Sequence, residues 1–365
     1  MTTPPRPDTV VPIHLRNAPS RLDRRGLNLV ELLVVIAIFG VLIALLLPAV
    51  SAQRETARRT QCASRLKQVG VGLQAYYAAY SEFPSGLVAD VESGVDSKSW
   101  GWGALLLPFI EEQTLADRLN PAGRPLNEVV WEPELEQDLR TSVTVYRCPS
   151  DQGDELSHRY RSMSLPLSGW EQVVGSGKPK RRFAASMGVL AHIFPTPPPP
   201  SDRPAPPVLA APIARSNYIA SIGSRWKPAR QDWSEADFEG DGLFGRNSEV
   251  KHAEITDGAS HTLAVGERCD RNYAAVWAGG NSWRGCGFTD NQMVLGTAFY
   301  PINQAPAAQN IDCDGQGSAN YSSYHPGGVN SVFADGSVHF LAEETDPLAF
   351  RRLARRDDGE AVDDF

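Results

Sequence analysis

The sequence predicts an α+β protein in which a long N-terminal helix packs on an antiparallel β-sheet domain with long loops. Two observations predict this fold class. Helical and apolar patterning runs from Leu27 to Ser81, and Glu82-Phe83-Pro84 ends it. After Pro84 the chain changes to short apolar runs separated by glycine, proline and asparagine, which is the pattern of strands and turns.

Charge is distributed unevenly along the 365 residues, whose net charge is −8. Residues 1–26 hold five arginines against two aspartates, a balance of +3, so the remainder carries −11. A nucleic-acid-binding protein usually carries a basic surplus, so no nucleic-acid partner is expected. No C-x-x-C, H-E-x-x-H or G-x-S-x-G motif occurs, which argues against zinc-finger, zincin and nucleophile-elbow functions.

A transmembrane helix is predicted at residues 27–50. The sixteen residues Leu32–Leu47 carry no charge. As a helix they cover about 24 Å, and about 30 Å when the run is counted from Leu27, which is enough to span a bilayer. The arginines just before the run predict that the N-terminus stays in the cytoplasm and that the body is exported. The alternative is a secretory signal peptide cut at Val50-Ser51-Ala52.

Glu31 argues against a simple signal peptide. It lies within the stretch that enters the membrane, where an unpaired carboxylate costs several kcal/mol. Cleavage between Gly26 and Leu27 would create an α-amino group at the membrane surface. That amine can neutralise Glu31 of a neighbouring subunit when subunits assemble.

The segment RRGLNLVELLVVIAIFGVLIALLLPAV resembles the class III signal of type IV pilins and type II secretion pseudopilins. The resemblance implies a basic leader over 1–26, cleavage after Gly26 by prepilin peptidase, N-methylation of Leu27 and an assembly role for Glu31. It departs from the family in Leu27, where phenylalanine is usual, and in Asn28, where threonine is common. The implied partners are prepilin peptidase, other pilin-like subunits and inner-membrane lipid.

Residues 51–83 are predicted to continue the helix as an amphipathic segment. Pro48 is expected to kink the helix without ending it. Gly70 and Gly72 are expected to allow close packing against the helix. The apolar face comprises Leu66, Val69, Leu73, Tyr76 and Tyr80. Basic side chains on other faces are expected to be solvated, or to contact anionic lipid or the acidic body; they are Arg54, Arg58, Arg59, Arg65 and Lys67.

Residues 84–346 are predicted to form the exported α+β body, followed by a charged tail over 347–365. A short helix is expected around Leu105–Leu119. Nine prolines within 195–212 indicate an exposed, polyproline-type loop, so a disordered insertion is expected at about 170–212. Strands are predicted at Val129–Trp131, Val143–Tyr146, Tyr218–Ile222, Thr262–Val265, Ala274–Trp277, Ser331–Phe333 and Val338–Leu341.

Several blocks of the body are similar to a prepilin-type, processing-associated family named for an H-x9-D-G segment. Here that segment runs from His325 to Asp335-Gly336. The resemblance implies a pilin-like fold and no established enzymatic activity. The blocks are residues 57–86, 99–115, 148–151, 216–223, 240–268 and 322–341.

His325 and Asp335 admit an enzymatic interpretation, because a histidine and an aspartate can orient a nucleophile such as Ser323 or Ser331. The local pattern favours structure instead. His325-Pro326-Gly327-Gly328 reads as a turn, and Asp335-Gly336 lies between two apolar runs, as in a β-hairpin. We therefore expect structural roles for His325, Gly327, Gly328, Asp335 and Gly336, and no catalytic residues.

No cofactor is expected, and a structural calcium ion is a minor alternative. Asp237, Glu239 and Asp241 imitate the start of a calcium loop, but Ser248 stands where an EF-hand needs glutamate. Asp312-Cys313-Asp314 is a second acidic loop. The five cysteines leave the disulfide pairing open. Cys269 and Cys286 are the nearest pair in sequence, and Cys148 can be joined to Cys62 or Cys313.

The sequence as a whole predicts a membrane-anchored, pilin-like structural subunit of a pilus or a type II secretion pseudopilus. A second hypothesis keeps the anchor but not the filament, with the body binding a carbohydrate or an exported protein. Exposed members of the eight tryptophans would stack on sugars in that case. An exported hydrolase is the third hypothesis.

Overall fold

The computed structural model describes residues 29–88, 99–129, 132–156, 213–225, 240–272, 275–280, 293–304, 320–360 and 362. The leader, Gly26, Leu27 and the proline-rich insertion at about 170–212 lie outside these ranges, as does the side chain of Glu31. The chain divides between Gln53 and Arg54 into two units.

Helix α1, Leu29–Tyr80, begins in the first unit. It is helical through Pro48, as the sequence predicts. The described leucine, isoleucine, valine and phenylalanine side chains between Leu29 and Val50 are exposed. The helix is long and apolar enough to cross a membrane, a property that a membrane anchor and a signal sequence share.

In the second unit, helix α1 buries one face. Leu66, Val69 and Leu73 are fully buried and Tyr76 is half-buried, in agreement with the predicted apolar face, whereas Tyr80 at its end is exposed. Tyr76 and Tyr80 also pack on Phe109 with ring centroids 5.4 and 6.1 Å away. Spacings of three and four residues put these side chains on one stripe of the helix.

The basic side chains of α1 contact the body more than was expected. The Arg59 guanidinium lies 3.4 Å from the ring centroid of Phe340. Arg65 donates to the carbonyl of Arg147 at 2.6 Å, and Lys67 donates to the carbonyl of Gly336 at 2.7 Å. These cations therefore help to hold the helix on the body.

The elements of the body are short. The strands are β1 (Leu87–Val88), β2 (Ser99–Gly101), β3 (Arg215–Ser216), β4 (Tyr218–Gly223), β5 (Leu263–Glu267), β6 (Ala275–Val276), β7 (Gly279–Gly280), β8 (Leu295–Thr297), β9 (Gly328–Phe333) and β10 (Val338–Ala342). The helices after α1 are α2 (Trp102–Leu106), α3 (Gln113–Leu119), α4 (Leu126–Val129), α5 (Pro133–Leu139) and α6 (Pro347–Leu353). Short 3-10 turns lie at Leu107–Phe109, Thr144–Tyr146, His252–Glu254 and Asp270–Asn272.

A five-stranded sheet in the order β10-β9-β5-β4-β8 forms the centre of the body. Its pairs are antiparallel except β4 with β8, which is parallel, so the sheet is mixed and not wholly antiparallel as predicted. A smaller sheet has the order β1-β2-β7, and β3 pairs with β6. The antiparallel hairpin β9–β10 turns at Asp335-Gly336, which confirms the hairpin prediction.

Some predicted elements differ from the structure. Val129 ends helix α4 and is not in a strand, and Thr144–Tyr146 is a 3-10 turn. These apolar runs are too short for periodicity to separate strand from helix. The predicted helix at Leu105–Leu119 is broken at Leu107–Phe109, because Pro108 cannot donate a helical hydrogen bond. The predicted tail over 347–365 contains α6, which buries Phe350 and Leu353.

Gly70 and Gly72 allow close approach of the body, as the sequence predicts. A Cβ atom on Gly70 would lie 2.8 Å from Val332 Cγ2 and 3.0 Å from the carbonyl oxygen of Gly336. On Gly72 it would lie 2.8 Å from Ile110 Cγ2. Any larger side chain at Gly70 would therefore push the β9–β10 hairpin away from the helix.

We predict that Gly70→Leu lowers the unfolding free energy by about 1–3 kcal/mol, the usual cost of overpacking, although leucine is the better helix former. Chemical denaturation of the detergent-solubilised full chain measures this change. Gly40→Leu is the matched control, because nothing lies within 4 Å of a Cβ at Gly40. Equal effects of the two substitutions would contradict the packing described for Gly70.

Candidate functional site

The two ends of the H-x9-D-G segment both contact helix α1. We call the contacts at both ends, with the neighbouring disulfide, the helix-docking site. On α1 it comprises Glu55, Cys62, Lys67, Gly70 and Gln74. On the body it comprises Cys148, Glu267, His325, Ala334 and Gly336.

His325 forms one end of the site. It is buried in the loop before β9, with 2% of its surface exposed. Its Nδ1 lies 2.6 Å from Oε1 of Glu55 on α1, and its Nε2 lies 3.3 Å from Oε1 of Glu267 at the end of β5. A carboxylate only accepts hydrogen bonds, so the imidazolium form of the ring, in which both nitrogens donate, satisfies both contacts. His325 thus links the helix to the central sheet by charge.

Hydrogen bonds to the backbone fix the groups around His325. The carboxylate of Glu267 accepts from the Asn330 N–H at 2.8 Å and from Asn330 Nδ2 at 3.1 Å. The N–H of His325 donates to Ser323 Oγ at 3.0 Å, and that hydroxyl donates to the carbonyl of Gly328 at 2.6 Å. These hydrogen bonds hold the His325 ring and Glu267 in position for the contact with Glu55.

The electrostatic balance favours the charged ring. Burial opposes the imidazolium, but the hydrogen bond and charge of Glu267, followed by those of Glu55, outweigh it and raise the pKa of His325. Arg58 donates to the other oxygen of Glu55 from Nε at 2.9 Å and Nη2 at 2.6 Å. The two carboxylates are thus matched by two cations.

A disulfide joins Cys62 of α1 to Cys148, beside His325. It selects one of the pairings that the sequence left open and closes a separation of 86 residues. Sγ of Cys148 lies 3.4 Å from His325 Nε2. Cys269 is a buried free thiol, and Cys286 and Cys313 lie outside the described residues. The covalent link and the ion pair therefore hold the same part of the helix.

Asp335-Gly336 forms the other end of the site. Asp335 Oδ1 accepts from the N–H of Ser337 at 2.8 Å, and Gly336 has a φ of +80°, which favours glycine. The turn exposes two carbonyls to the helix. Lys67 Nζ donates to that of Gly336 at 2.7 Å, and Gln74 Nε2 donates to that of Ala334 at 2.6 Å. The segment thus contacts α1 from Glu55 to Gln74, about 28 Å along a helix axis.

Gly327 and Gly328, which follow His325, lie where the backbone geometry excludes a larger side chain. Gly327 has a φ of +84°. A Cβ atom on Gly328 would lie 2.0 Å from the carbonyl oxygen of Leu341 on the paired strand β10. The turn at Gly327 and the strand pairing at Gly328 therefore require glycine.

The hydrolase arrangement is not formed. His325 pairs with Glu55 and Glu267, whereas the carboxylate of Asp335 caps its own turn. The hydroxyl of Ser323 donates to a backbone carbonyl, and that of Ser331 is buried and has no hydrogen-bond partner among the described residues. Within the part of the chain that the structure describes, neither serine is therefore hydrogen-bonded to the side chain of His325.

Asp241, one of the suggested calcium ligands, is occupied by protein donors. Its carboxylate accepts from the N–H groups of Ser224 and Arg225 at 2.7 and 3.1 Å. Arg355 Nε lies 3.3 Å from its other oxygen. Asp237, Glu239, Asp312 and Asp314 lie outside the described residues. Asp241 thus orders a loop through N–H groups and arginine, and the calcium suggestion is not supported there.

Sequence reasoning missed Glu55 and Glu267 as the partners of His325. Glu55 did carry a signal, because it is the only acidic residue in residues 51–81, which are rich in arginine. A lone carboxylate in such a segment, close to the apolar run, indicates a specific cationic partner. Glu267 gave no such signal, because it ends an ordinary apolar strand.

We predict that the unfolding free energy falls as pH rises through the folded-state pKa of His325. Because this pKa is raised above the unfolded value of about 6.5, the stabilisation is complete below about pH 6.5 and is lost at higher pH. His325→Gln should cost about 3–5 kcal/mol at low pH, because it leaves Glu267 buried and unpaired, and should flatten the pH dependence. Urea denaturation of the full chain across this range measures both effects.

His339→Gln is the control for that experiment. His339 lies on β10 with its side chain exposed and beside Ser337. This variant should keep the wild-type pH dependence. A His325→Gln protein with an unchanged pH slope would show that the imidazolium does not bind the helix to the sheet.

The part of the chain that contains the helix-docking site matches a known protein family. The model of a family described as "Protein of unknown function (DUF1559)" matches residues 51–348, which include the whole helix-docking site. No curated protein and no solved structure matches the chain. The match covers well over half of the sequence. The chain therefore belongs to the DUF1559 family, the family of prepilin-like proteins with an H-x9-D-G domain.

Proposed function

We propose that the protein is a pilin-like structural subunit, anchored in the inner membrane with its N-terminus in the cytoplasm and its body exported. Prepilin peptidase cleaves it after Gly26 and methylates Leu27. The processed helix then assembles with other pilin-like subunits into a pilus or a type II secretion pseudopilus. The subunit has no catalytic function of its own.

The observation that carries this proposal is the composition of helix α1. Its first part, Leu29–Val50, presents apolar side chains that are exposed in the single chain, and its later part is fixed to the body at the helix-docking site. Exposed apolar surface of this extent needs lipid or other apolar helices around it. An anchor that later packs in a filament core supplies both environments.

Glu31 supports assembly over simple anchoring. Its carboxylate lies within the apolar stretch, and the new amine on Leu27 of a neighbouring copy would neutralise it. A buried charge that is paired and hydrogen-bonded is tolerated, whereas an unpaired one is costly. The pairing therefore favours a defined axial register between adjacent subunits.

The helix-docking site supports a mechanical role for the body. A filament subunit must transmit force between its core helix and its outer domain. The disulfide at Cys62, the ion pair of Glu55 with His325 and the hydrogen bonds of Lys67 and Gln74 join the two at several points along the helix. His325 and Gly336 of the H-x9-D-G segment take part in this attachment, which supports a structural role for the segment.

The alternative is a binding module on a pilin-type anchor, and the described tryptophans do not favour it. Trp100, Trp102 and Trp277 are each buried. Their indole N–H groups donate to backbone carbonyls of Arg124 at 2.6 Å, Val294 at 3.0 Å and Thr141 at 3.1 Å. Within the described ranges these rings form core and offer no face to a sugar.

We predict that the mature protein begins at Leu27 and carries one N-terminal methyl group. Mass spectrometry of protein purified from membranes of a cell that has prepilin peptidase measures this directly. The same protein from cells that lack the peptidase is the control and should retain residues 1–26. A chain that begins at Ala52 would instead establish a secretory signal peptide and overturn the proposal.

We predict that Glu31→Ala and Glu31→Gln leave cleavage intact and reduce crosslinked oligomers in membranes by about tenfold or more, because loss of one paired buried charge costs more than about 1.4 kcal/mol. Glu82→Gln, which changes a partly exposed acid just after α1, is the matched control and should assemble normally. Normal assembly of both Glu31 variants would contradict the pairing with Leu27.

A further inference from the structure

Four side chains of the helix-docking site are of types that bind metal ions. One donor atom from each of Cys62, Cys148, Glu267 and His325 lies within 4.8 Å of the other three, and all four residues are buried. Sulfur, imidazole nitrogen and carboxylate oxygen are the ligands that zinc takes in proteins. Their separation in sequence explains why no zinc motif is visible.

We propose that this site binds one zinc ion when the Cys62–Cys148 disulfide is reduced. The ligands are the two thiolates, Nε2 of His325 and the carboxylate of Glu267. Two thiolates with an imidazole favour zinc over magnesium or calcium, which prefer oxygen ligands. Four protein ligands with no open position make the ion structural and not catalytic.

Two of the distances already suit a tetrahedral ion. Zinc–ligand bonds of about 2.0–2.3 Å place neighbouring ligand atoms about 3.5 Å apart. His325 Nε2 lies 3.4 Å from Cys148 Sγ and 3.3 Å from Glu267 Oε1. Reduction frees the two sulfurs to separate, so that the ion can enter between them.

The surrounding hydrogen bonds are those of a supported metal site. A zinc-bound histidine normally donates its other ring N–H to a carboxylate, and here Nδ1 of His325 already faces Glu55 at 2.6 Å. The Glu267 carboxylate is oriented by the N–H and side chain of Asn330. Glu55 is thus a positioning residue that holds the ring with Nε2 toward the metal.

The exchange of disulfide for zinc balances. A phosphine reductant supplies two electrons and takes an oxygen atom from water to become a phosphine oxide, while the two protons of that water convert the two sulfurs to thiols. Zinc then displaces one proton from each thiol and the Nε2 proton of the imidazolium, while Nδ1–H remains bonded to Glu55. The ion takes the place of the disulfide in joining α1 to the segment at Cys148, so the helix stays attached in either redox state.

Zinc binding to the full chain in detergent tests this proposal. We replace Cys269, Cys286 and Cys313 with serine, so that only Cys62 and Cys148 remain, and reduce the protein with a phosphine under anaerobic conditions. Competition with a chromogenic chelator should then give one zinc per chain. The oxidised protein should bind zinc at least about 100-fold more weakly than the reduced protein, because its sulfurs are not thiolates.

Ligand variants separate a built site from two reactive thiols. His325→Gln and Glu267→Gln should weaken zinc binding about 100-fold, whereas Glu55→Gln should weaken it about 10–100-fold and keep a stoichiometry of one. His339→Gln is the control and should not change the affinity. Cobalt supplies a second readout in wild-type protein, because thiolate coordination gives a charge-transfer absorption band that reduction should create.

Absence of zinc from the reduced chain would overturn the proposal, as would equal affinity in the oxidised chain. So would an affinity that neither His325→Gln nor Glu267→Gln changes, since this would mean that the thiols bind alone. If the triple serine variant does not fold, the cobalt band of wild-type protein and its loss in His325→Gln decide the same question. These outcomes are independent of cleavage at Gly26 and of filament assembly.

Discussion

The attachment of helix α1 to the body depends on one buried imidazolium. His325 lies between Glu55 of the helix and Glu267 of the central sheet, and both of its ring nitrogens donate. Burial alone would favour the neutral ring, but the two carboxylates reverse that preference. If the ring were removed, Glu267 would remain as a buried charge without its cation. The helix and the sheet therefore stabilise each other through His325, which is the first residue of the H-x9-D-G segment.

The rest of the helix-docking site follows from that contact. The Cys62–Cys148 disulfide lies beside the imidazolium, so a covalent bond and an ion pair restrain the same stretch of helix. Strand β9 then leads from the loop that holds His325 to the Asp335-Gly336 turn. Backbone carbonyls of this turn accept hydrogen bonds from Lys67 and Gln74. Close contact there depends on Gly70, because a side chain at that position would meet the turn. A His-x9-Asp-Gly spacing thus matches a hairpin strand to a length of helix, which is a structural reason for the motif.

The same residues show how contacts suggested by a sequence motif can differ from those in the folded chain. A histidine, an aspartate and nearby serines suggest a hydrolase in sequence, but the structure gives the histidine two glutamate partners and uses the aspartate to close a turn. The described tryptophans, Trp100, Trp102 and Trp277, are core residues and not exposed sugar-binding rings. The described contacts of the H-x9-D-G segment instead attach the later part of helix α1 to the body. The proposed zinc site belongs to that attachment and not to a reaction.

The sequence by itself determined the features that depend on near neighbours. Leu66, Val69 and Leu73 reveal the buried face of α1 because helical spacing is local, and Asp335-Gly336 reveals the hairpin because turn geometry involves only adjacent residues. Tertiary structure alone decided which carboxylates face His325, which cysteine joins Cys62 and why β8 runs parallel to β4. Those contacts join residues far apart in the chain. The partner of a buried charge or thiol is set by which segments pack together, and local patterning does not encode that choice.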